Sequence, residues 1–266
     1  MLIETDIFGN TIDKVKMSID RLKAFEPPEG YYLAFSGGKD SVVILDLAKR
    51  SGVKFDAHYN ITGIDPPELV RFIMKEHPEV ERHKPKMTIW KLIVKKMMPP
   101  TRLSRYCCEY LKEGGGAGRL IVTGVRWGES HRRSKRKMTE VCFRNNRTTY
   151  LHPIIEWSFS DVWQYIRENN VKYCSLYDEG FKRLGCIGCP MAGGQRKKQF
   201  ERWPRYEKLW KKSFGELVER RAAHSPEWHI KHPTKPEWKT ADLMFKWWMQ
   251  GNGGSKEDPD QTVMFE

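Results

Sequence analysis

The stretch Tyr31-Tyr32-Leu33-Ala34-Phe35-Ser36-Gly37-Gly38-Lys39-Asp40-Ser41 decides the fold. A short apolar, aromatic run of strand character ends in two adjacent glycines, and Ser41 to Lys49 then reads as a helix. In a strand-loop-helix the glycines let the backbone curl so that several amide N–H groups point at one anion. The positive end of the helix dipole adds to them. Ser36 and Ser41 bring hydroxyl donors and Lys39 a mobile positive charge, whereas Asp40 is suited to orienting the loop or helping to hold Mg2+. For Gly37-Gly38 alone, a turn with a helix cap would be the better account; six such residues in this context favour a phosphate grip. The loop is not a Walker loop, which needs four residues between its glycines and a Gly-Lys-Ser/Thr ending.

Outward from this loop, apolar positions at Ile12, Val15, Ile19, Leu22 and Phe25 predict a helix over 11–26, broken by Pro27-Pro28-Glu29-Gly30. Val53 to Ile61 reads as a second strand, and Pro66 and Pro67 stand where a helix over Glu68 to Glu76 would begin. Leu120 to Thr123 makes a further buried strand, and Ser158-Phe159-Ser160-Asp161 signals a helix start. Strands alternating with helices predict an α/β fold whose mostly parallel sheet is covered on both faces. From about Gln195 the texture changes to Lys, Arg, Glu and Trp at helical spacing. The chain therefore divides into residues 1–194, a nucleotide-binding domain carrying the cysteines, and residues 195–266, a helical extension with a polar tail from Asn252. Gly114-Gly115-Gly116-Ala117-Gly118 precedes a strand rather than following one, so it reads as a flexible connector and not as a dinucleotide fingerprint.

With 39% hydrophobic and 30% charged residues over 266 positions, the chain is neither disordered nor a membrane protein in composition. No apolar run approaches the ~18 residues that span a bilayer, and Met1-Leu2-Ile3-Glu4-Thr5-Asp6 lacks the pattern of a secretion signal, which leaves the cytoplasm as the expected address. A net charge of +13 implies attraction to polyanions, nucleotides or nucleic acid alike.

Six cysteines in such a chain point to metal or thiol chemistry rather than disulfides. Cys107 and Cys108 are adjacent, and Cys186-Ile187-Gly188-Cys189 is a CxxC. Four thiolates from two such elements suit a soft metal, zinc being the generic choice; adjacent cysteines strain a mononuclear site, whereas the separated irons of a cluster can use both. A redox thiol pair is the remaining alternative. Cys142 and Cys174 are either small buried hydrophobes or nucleophiles, and the basic run Arg132-Arg133-Ser134-Lys135-Arg136-Lys137 favours thiolate at Cys142.

The Ser36–Ser41 loop resembles the SGGxDS signature of the PP-loop superfamily, the adenine nucleotide alpha-hydrolases. That resemblance implies a doubly wound sheet binding ATP or a related adenylyl compound at the carboxyl ends of its strands. Asn60-Ile61-Thr62-Gly63, Thr123-Gly124-Val125-Arg126-Trp127-Gly128-Glu129-Ser130, Pro153-Ile154-Ile155-Glu156-Trp157 and Leu176-Tyr177-Asp178-Glu179-Gly180-Phe181 are similar, in order and spacing, to the phosphoadenosine phosphosulfate (PAPS) reductase family. The likeness runs over roughly residues 30–190. It implies that Thr62, Gly63 and Gly124 face the nucleotide, that Arg126 holds phosphate or sulfate oxygens, and that the basic run covers an anionic substrate unless it is simply a solvated face. Members among the adenylyl-sulfate reductases and DNA phosphorothioation proteins carry a Cys-Cys plus CxxC set around a 4Fe-4S cluster, which the resemblance carries over to Cys107, Cys108, Cys186 and Cys189.

The pattern departs from sulfonucleotide reductases in two respects. There is no cysteine after Cys189 to match their terminal nucleophile, and the loop keeps Gly-Lys-Asp, the form found in enzymes that split ATP between its α- and β-phosphates. Both departures favour adenylation of an acceptor, with Lys39, Mg2+ and Arg126 assisting loss of pyrophosphate and Asp40 orienting the loop, followed by sulfur insertion. A nucleic acid is a candidate acceptor and a cysteine desulfurase or thiol reductant a candidate partner. The competing readings are reduction of PAPS or adenylyl sulfate to sulfite with Cys142 or Cys174 as thiol, and a non-catalytic nucleic-acid-binding or nucleotide-sensing protein. The last would stack bases on Trp203, Trp210, Trp228, Trp238, Trp247 and Trp248, residues that otherwise serve helix packing.

Overall fold

The computed structural model describes residues 2–5, 8–142 and 148–251, with only the backbone of Cys142; the Asn252–Glu266 tail lies outside the described residues. A hairpin, β1 (Ile3–Thr5) with β2 (Thr11–Asp13), leads into α1 (Lys14–Ala24), whose first amides donate to the Asp13 carboxylate. There follow β3 (Tyr31–Ala34), α2 (Lys39–Ser51), β4 (Phe55–Asn60), α3 (Pro67–Glu76), β5 (Glu81–His83), α4 (Ile89–Lys96), α5 (Tyr106–Leu111) and β6 (Leu120–Val122). After α6 (His131–Ser134) the antiparallel pair β7 (Thr139–Cys142) and β8 (Thr148–Leu151) completes the sheet, and α7 (Phe159–Glu168) starts at the Ser158 capping box.

The six strands lie in the order β5-β4-β3-β6-β8-β7, parallel except for β7 at one edge. Chain order runs from β3 outward to β4 and β5 on one side and to β6, β8 and β7 on the other, so the direction of winding reverses beside β3. Such a switch point, here the carboxyl ends of β3 and β6, is where open α/β sheets bind ligands. The centre of the sheet is apolar, with Tyr31, Leu33, Val122 and Leu151 buried, and α2 packs between α1 and α7. Trp157, fully buried, donates its indole N–H to Ser18 Oγ of α1 (3.1 Å), so the largest core side chain keeps its one donor satisfied.

The helical texture after Gln195 becomes α8 (Gln195–Arg202), α9 (Pro204–Ala222), α10 (Pro226–Lys231) and α11 (Ala241–Met249). These helices share the core of the rest: α9 packs on α4, Trp210 meets Trp90 edge-on, and Trp248 donates to the Pro100 carbonyl at 2.7 Å. Trp203, Trp210, Trp238, Trp247 and Trp248 are buried, and Trp228 stacks on His224. Packing therefore consumes five of the six tryptophans considered for base stacking. The glycine-rich connector is not loose either. A Cβ at Gly115 would stand 2.1 Å from Tyr32 Oη, so the segment lies directly on the β3 side chain and only glycine fits there. No described helix is long and apolar enough to cross a membrane.

Candidate active site

Gly37 adopts φ +70°, and a Cβ there would lie 2.7 Å from Leu69 and Ile73 of α3; the first glycine of the loop thus answers to both conformation and space. Gly38 is the N-cap of α2 and offers no side chain of its own to the first amides. The Lys39 N–H instead donates to the Tyr177 hydroxyl at 2.8 Å. Ser41 Oγ turns back to the Gly38 carbonyl (2.8 Å) and accepts from Ser36 Oγ (3.2 Å), closing the curl from within. Ser36 remains exposed at the mouth.

Lys39 is buried, its ammonium 3.1 Å from Asp40 Oδ2 and 5.4 Å from the centre of the Phe159 ring, with Tyr177 on its other side at 6.0 Å. Two aromatic faces thus flank the cation at the loop. Asp40 is shared. Its Oδ1 accepts from Nε of Arg126 at 2.7 Å, while Arg126 also donates from NH1 to the Trp157 carbonyl at 3.1 Å. Arg126 is only 2% exposed, so the guanidinium is invested mainly in holding Asp40 and α7's approach rather than reaching into open space. Gly124 makes this possible: a Cβ there would lie 2.9 Å from Asp40 Cβ and 3.0 Å from its backbone carbon and oxygen. Beside it, Thr123 Oγ1 meets His152 Nδ1 at 2.7 Å. His152 is buried with Nε2 unpartnered, and burial pushes its pKa down to about 4, so the ring is neutral.

Thr62 and Gly63 follow β4 as expected but face differently. Gly63 is open, with nothing near the position of a Cβ. Thr62 is fully buried, and its hydroxyl accepts from the Cys186 thiol at 3.5 Å, so this side chain is turned toward the cysteines. Cys186 and Cys189 sit on a loop fixed by Ile187 N–H to the Ile64 carbonyl (2.7 Å) and by Gly188 N–H to Gln199 Oε1 (2.9 Å). Cys107 and Cys108 open α5 opposite them, and all four are half-buried.

The four thiols act on one another electrostatically. Donating to Cys108, and being buried near Cys189 and Cys186, pushes the Cys107 thiol up; Cys108 is drawn below the ordinary thiol range by Cys107 and by Arg105, whose NH2 is 3.8 Å away. Burial raises Cys186. Lys112 is held in its charged form chiefly by Cys186, then by Asp65, Cys189 and Cys108. The four thiols are thus near enough to influence one another, with Arg105 and Lys112 alongside, although no three of their sulfurs lie within 4.8 Å of one another.

Of the remaining sequence candidates, Cys174 is fully buried and its thiol is pushed up by that burial, the surroundings of a structural cysteine rather than an activated one. Cys142 ends β7, and its side chain lies outside the described residues. The basic run forms a fixed turn: Arg133 pairs with Glu129, Arg136 with Glu140, and Trp127 donates to the Arg136 carbonyl at 2.7 Å. Phe159 and Tyr177, which flank Lys39, were not singled out for that role by spacing, because they arrive from α7 and from the 3-10 turn Ser175–Tyr177.

Three relatives and one solved structure place this architecture among known proteins. The chain is 30% identical over 235 residues to an uncharacterized protein of Methanocaldococcus jannaschii, covering 79% of this chain and 46% of that protein. It is 27% identical over 179 residues to the adenosine 5'-phosphosulfate reductase of Oceanobacillus iheyensis (59% of this chain, 69% of the relative) and 29% identical over 172 residues to a probable FAD synthase of Schizosaccharomyces pombe (62% of each). The chain spans about half the length of the first curated relatives it matches. The phosphoadenylyl-sulfate reductase from Candida auris, solved as a phosphate complex, superposes with a TM-score of 0.50 at 21% identity, covering 66% of this chain and 88% of that one, a likeness of fold. A family profile described as phosphoadenosine phosphosulfate reductase domain matches residues 30–192, and with more than half its length so matched the chain belongs to the PAPS reductase family.

Proposed function

We propose that the protein binds ATP at the Ser36–Ser41 loop and uses it to adenylate an acceptor, releasing pyrophosphate, in preparation for sulfur transfer assisted by an iron-sulfur centre. The observation that carries this reading is the intact Gly37-Gly38-Lys39-Asp40 turn at the start of α2, where the N-cap Gly38 offers no side chain to the first amides, the Lys39 ammonium lies beside Asp40 and the Ser36 hydroxyl is exposed. In the proposed reaction an acceptor oxygen forms a bond to the α-phosphorus as the bond to the bridging oxygen of the β-phosphate breaks. The loop amides and Lys39 stabilise charge growing on the departing pyrophosphate. Asp40, fixed by Arg126, orients the loop and is available to a Mg2+ ion on the phosphates. Gly63 leaves space for the nucleoside, Gly124 admits the close approach of the Asp40 turn, and Thr62 acts from beneath by holding Cys186. A relative named FAD synthase, 29% identical, is in keeping with adenylyl chemistry on this frame.

Cys107, Cys108, Cys186 and Cys189 would hold a 4Fe-4S cluster, which would supply a site for sulfur or electrons next to the carboxyl end of β4. Zinc is the less favoured occupant, since adjacent cysteines fit separated metal atoms better than one. The chain's own residues fix the pocket's charge: Arg105 and Lys112 offset its thiolates. The acceptor class and the sulfur-delivering partner follow from the same reading: a nucleic acid suits the +13 charge, and a cysteine desulfurase would deliver the sulfur.

Reduction of adenylyl sulfate or PAPS is the second reading, favoured by the adenosine 5'-phosphosulfate reductase relative. It needs an activated thiol, and burial raises that of Cys174. Anaerobically purified protein incubated with Mg-ATP and cellular RNA or DNA should yield pyrophosphate and adenylylated nucleic acid, with AMP released once a cysteine desulfurase and cysteine supply the sulfur. Sulfite from adenylyl sulfate or PAPS plus a thiol, with no pyrophosphate from ATP, would overturn the adenylation reading.

A further inference from the structure

On the face of the sheet opposite α1, β4 and β5 bring together three side chains that the nucleotide site does not use. His58 of β4 is the register partner of Glu81 of β5, and His83 lies two residues further along, opposite Asn60, so all three project from one face. His58 Nδ1 stands 2.8 Å from His83 Nε2 and 3.4 Å from Glu81 Oε2, and His83 Nε2 is 3.7 Å from Glu81 Oε1. Among the described residues this is the group whose ligand atoms all fall within 4.8 Å of one another.

The surroundings fix one imidazole with unusual thoroughness. The other nitrogen of His58 meets the Asp56 carboxylate, which assigns the proton to Nε2 and leaves the Nδ1 lone pair directed at His83 and Glu81. Arg119 pins that carboxylate, donating from NH1 to Oδ2 at 2.7 Å and from NH2 to Oδ1 at 2.5 Å. Tyr32 stacks on the His58 ring at 4.0 Å with an interplanar angle of 6°. A carboxylate behind a histidine whose free nitrogen faces a second imidazole and a carboxylate is the outer-shell arrangement of metal-ligating histidines.

We propose that His58, Glu81 and His83 bind one divalent ion of the zinc class, with Asp56 as the positioning residue for His58 and water completing the coordination. Two imidazole nitrogens and one carboxylate oxygen suit zinc or cobalt better than magnesium or calcium, which favour all-oxygen sites. The ion clasps β5 to β4. β5 is a three-residue edge strand of Glu81-Arg82-His83, with little apolar surface to hold it. The site is independent of the proposed adenylation and of the cysteine pocket. The competing account is a hydrogen bond from His83 to His58, in which Glu81 has no part.

Cobalt distinguishes the two sites. Co2+ added to the full-length chain should give visible ligand-field bands from nitrogen and oxygen ligands that persist when serine replaces Cys107, Cys108, Cys186 and Cys189, a change that removes the intense near-ultraviolet sulfur-to-cobalt charge transfer of the cysteines, and Zn2+ should bleach these bands. His83→Ala and Glu81→Gln, both at solvent-accessible positions, should each weaken that binding at least about tenfold, and Asp56→Asn about 10–100-fold. Zn2+ should raise Tm in the parent chain and not in His83→Ala. Cobalt spectra showing only sulfur charge transfer, or binding and Tm shifts unchanged in His83→Ala and Glu81→Gln, would overturn the proposal.

Discussion

Arg126 Nε lies 2.7 Å from Asp40 Oδ1, and this contact ties the loop after β6 to the first turn of α2. Because the guanidinium is almost wholly buried, removing either partner strands a charge. Arg126→Ala should therefore lower stability by about 3–5 kcal/mol, and Asp40→Asn should cost a sizeable part of that, read from urea denaturation midpoints. Lysine will not substitute, since its single nitrogen cannot reproduce the spaced Nε and NH1 donors that reach Asp40 and the Trp157 carbonyl together.

Gly124→Ala tests the close approach on the other side of the same contact. Its Cβ would press on the Asp40 backbone at 3.0 Å, so the loop must move. A folded protein with stability reduced by about 1–3 kcal/mol and clearly weaker ATP binding by calorimetry is the expected outcome. Undiminished ATP affinity would remove the loop from the nucleotide site.

Lys39→Ala deletes the loop's buried charge while leaving the Arg126–Asp40 pair in place. A charged hydrogen bond to phosphate is worth about 1.5–3 kcal/mol, so ATP should bind about ten- to a hundredfold more weakly, with little loss of secondary structure by circular dichroism.

The buried His152 makes a pH prediction. Its folded pKa, about 4, lies below the 6.5 of the free side chain, so the unfolded chain takes up the proton first as pH falls. The neutral ring's contribution is present in full above pH 6.5 and is lost progressively toward pH 4, amounting to about 2 kcal/mol at pH 5. His152→Gln should flatten this part of the stability profile between pH 7 and 4.5, measured as the difference in unfolding free energy from the parent chain.

Anaerobic reconstitution with iron and sulfide should colour the protein and give the broad visible absorbance of a cluster. Serine at Cys107, Cys108, Cys186 or Cys189 should diminish or abolish it, whereas Cys174→Ser should leave it intact. Four serine variants that all keep the parent spectrum would remove the cluster from these positions.

The central sheet was legible because β3, β4 and β6 carry apolar runs punctuated by glycine and proline, and because Ser158 and Asp161 spell a helix start. β5 was not, for Glu81-Arg82-His83 has no hydrophobic signal and becomes a strand only through pairing with β4. The same reason hid His58, Glu81 and His83, which are brought together by register rather than by spacing. The hairpin β1–β2 consists of three-residue strands, too short for periodicity to register. In the site, the strand-loop-helix context of the glycine loop was readable from its residues, and the two cysteine pairs could be singled out by spacing. That Thr62 looks toward Cys186, that Arg126 is absorbed by Asp40, and that Gly115 lies on Tyr32 are consequences of packing, which local sequence does not encode.

Arg196 donates to the carbonyls of Trp248 at 2.8 Å and Met249 at 2.9 Å, fastening the last turn of α11 to the helix that follows the CxxC loop. Gln199, one turn further on in that helix, receives the Gly188 N–H between the two cysteines. The distant carboxyl helix is thus the rear abutment of the thiol pocket. Substitutions there would make themselves felt in the placing of Cys186 and Cys189 before they disturbed the Ser36–Ser41 loop.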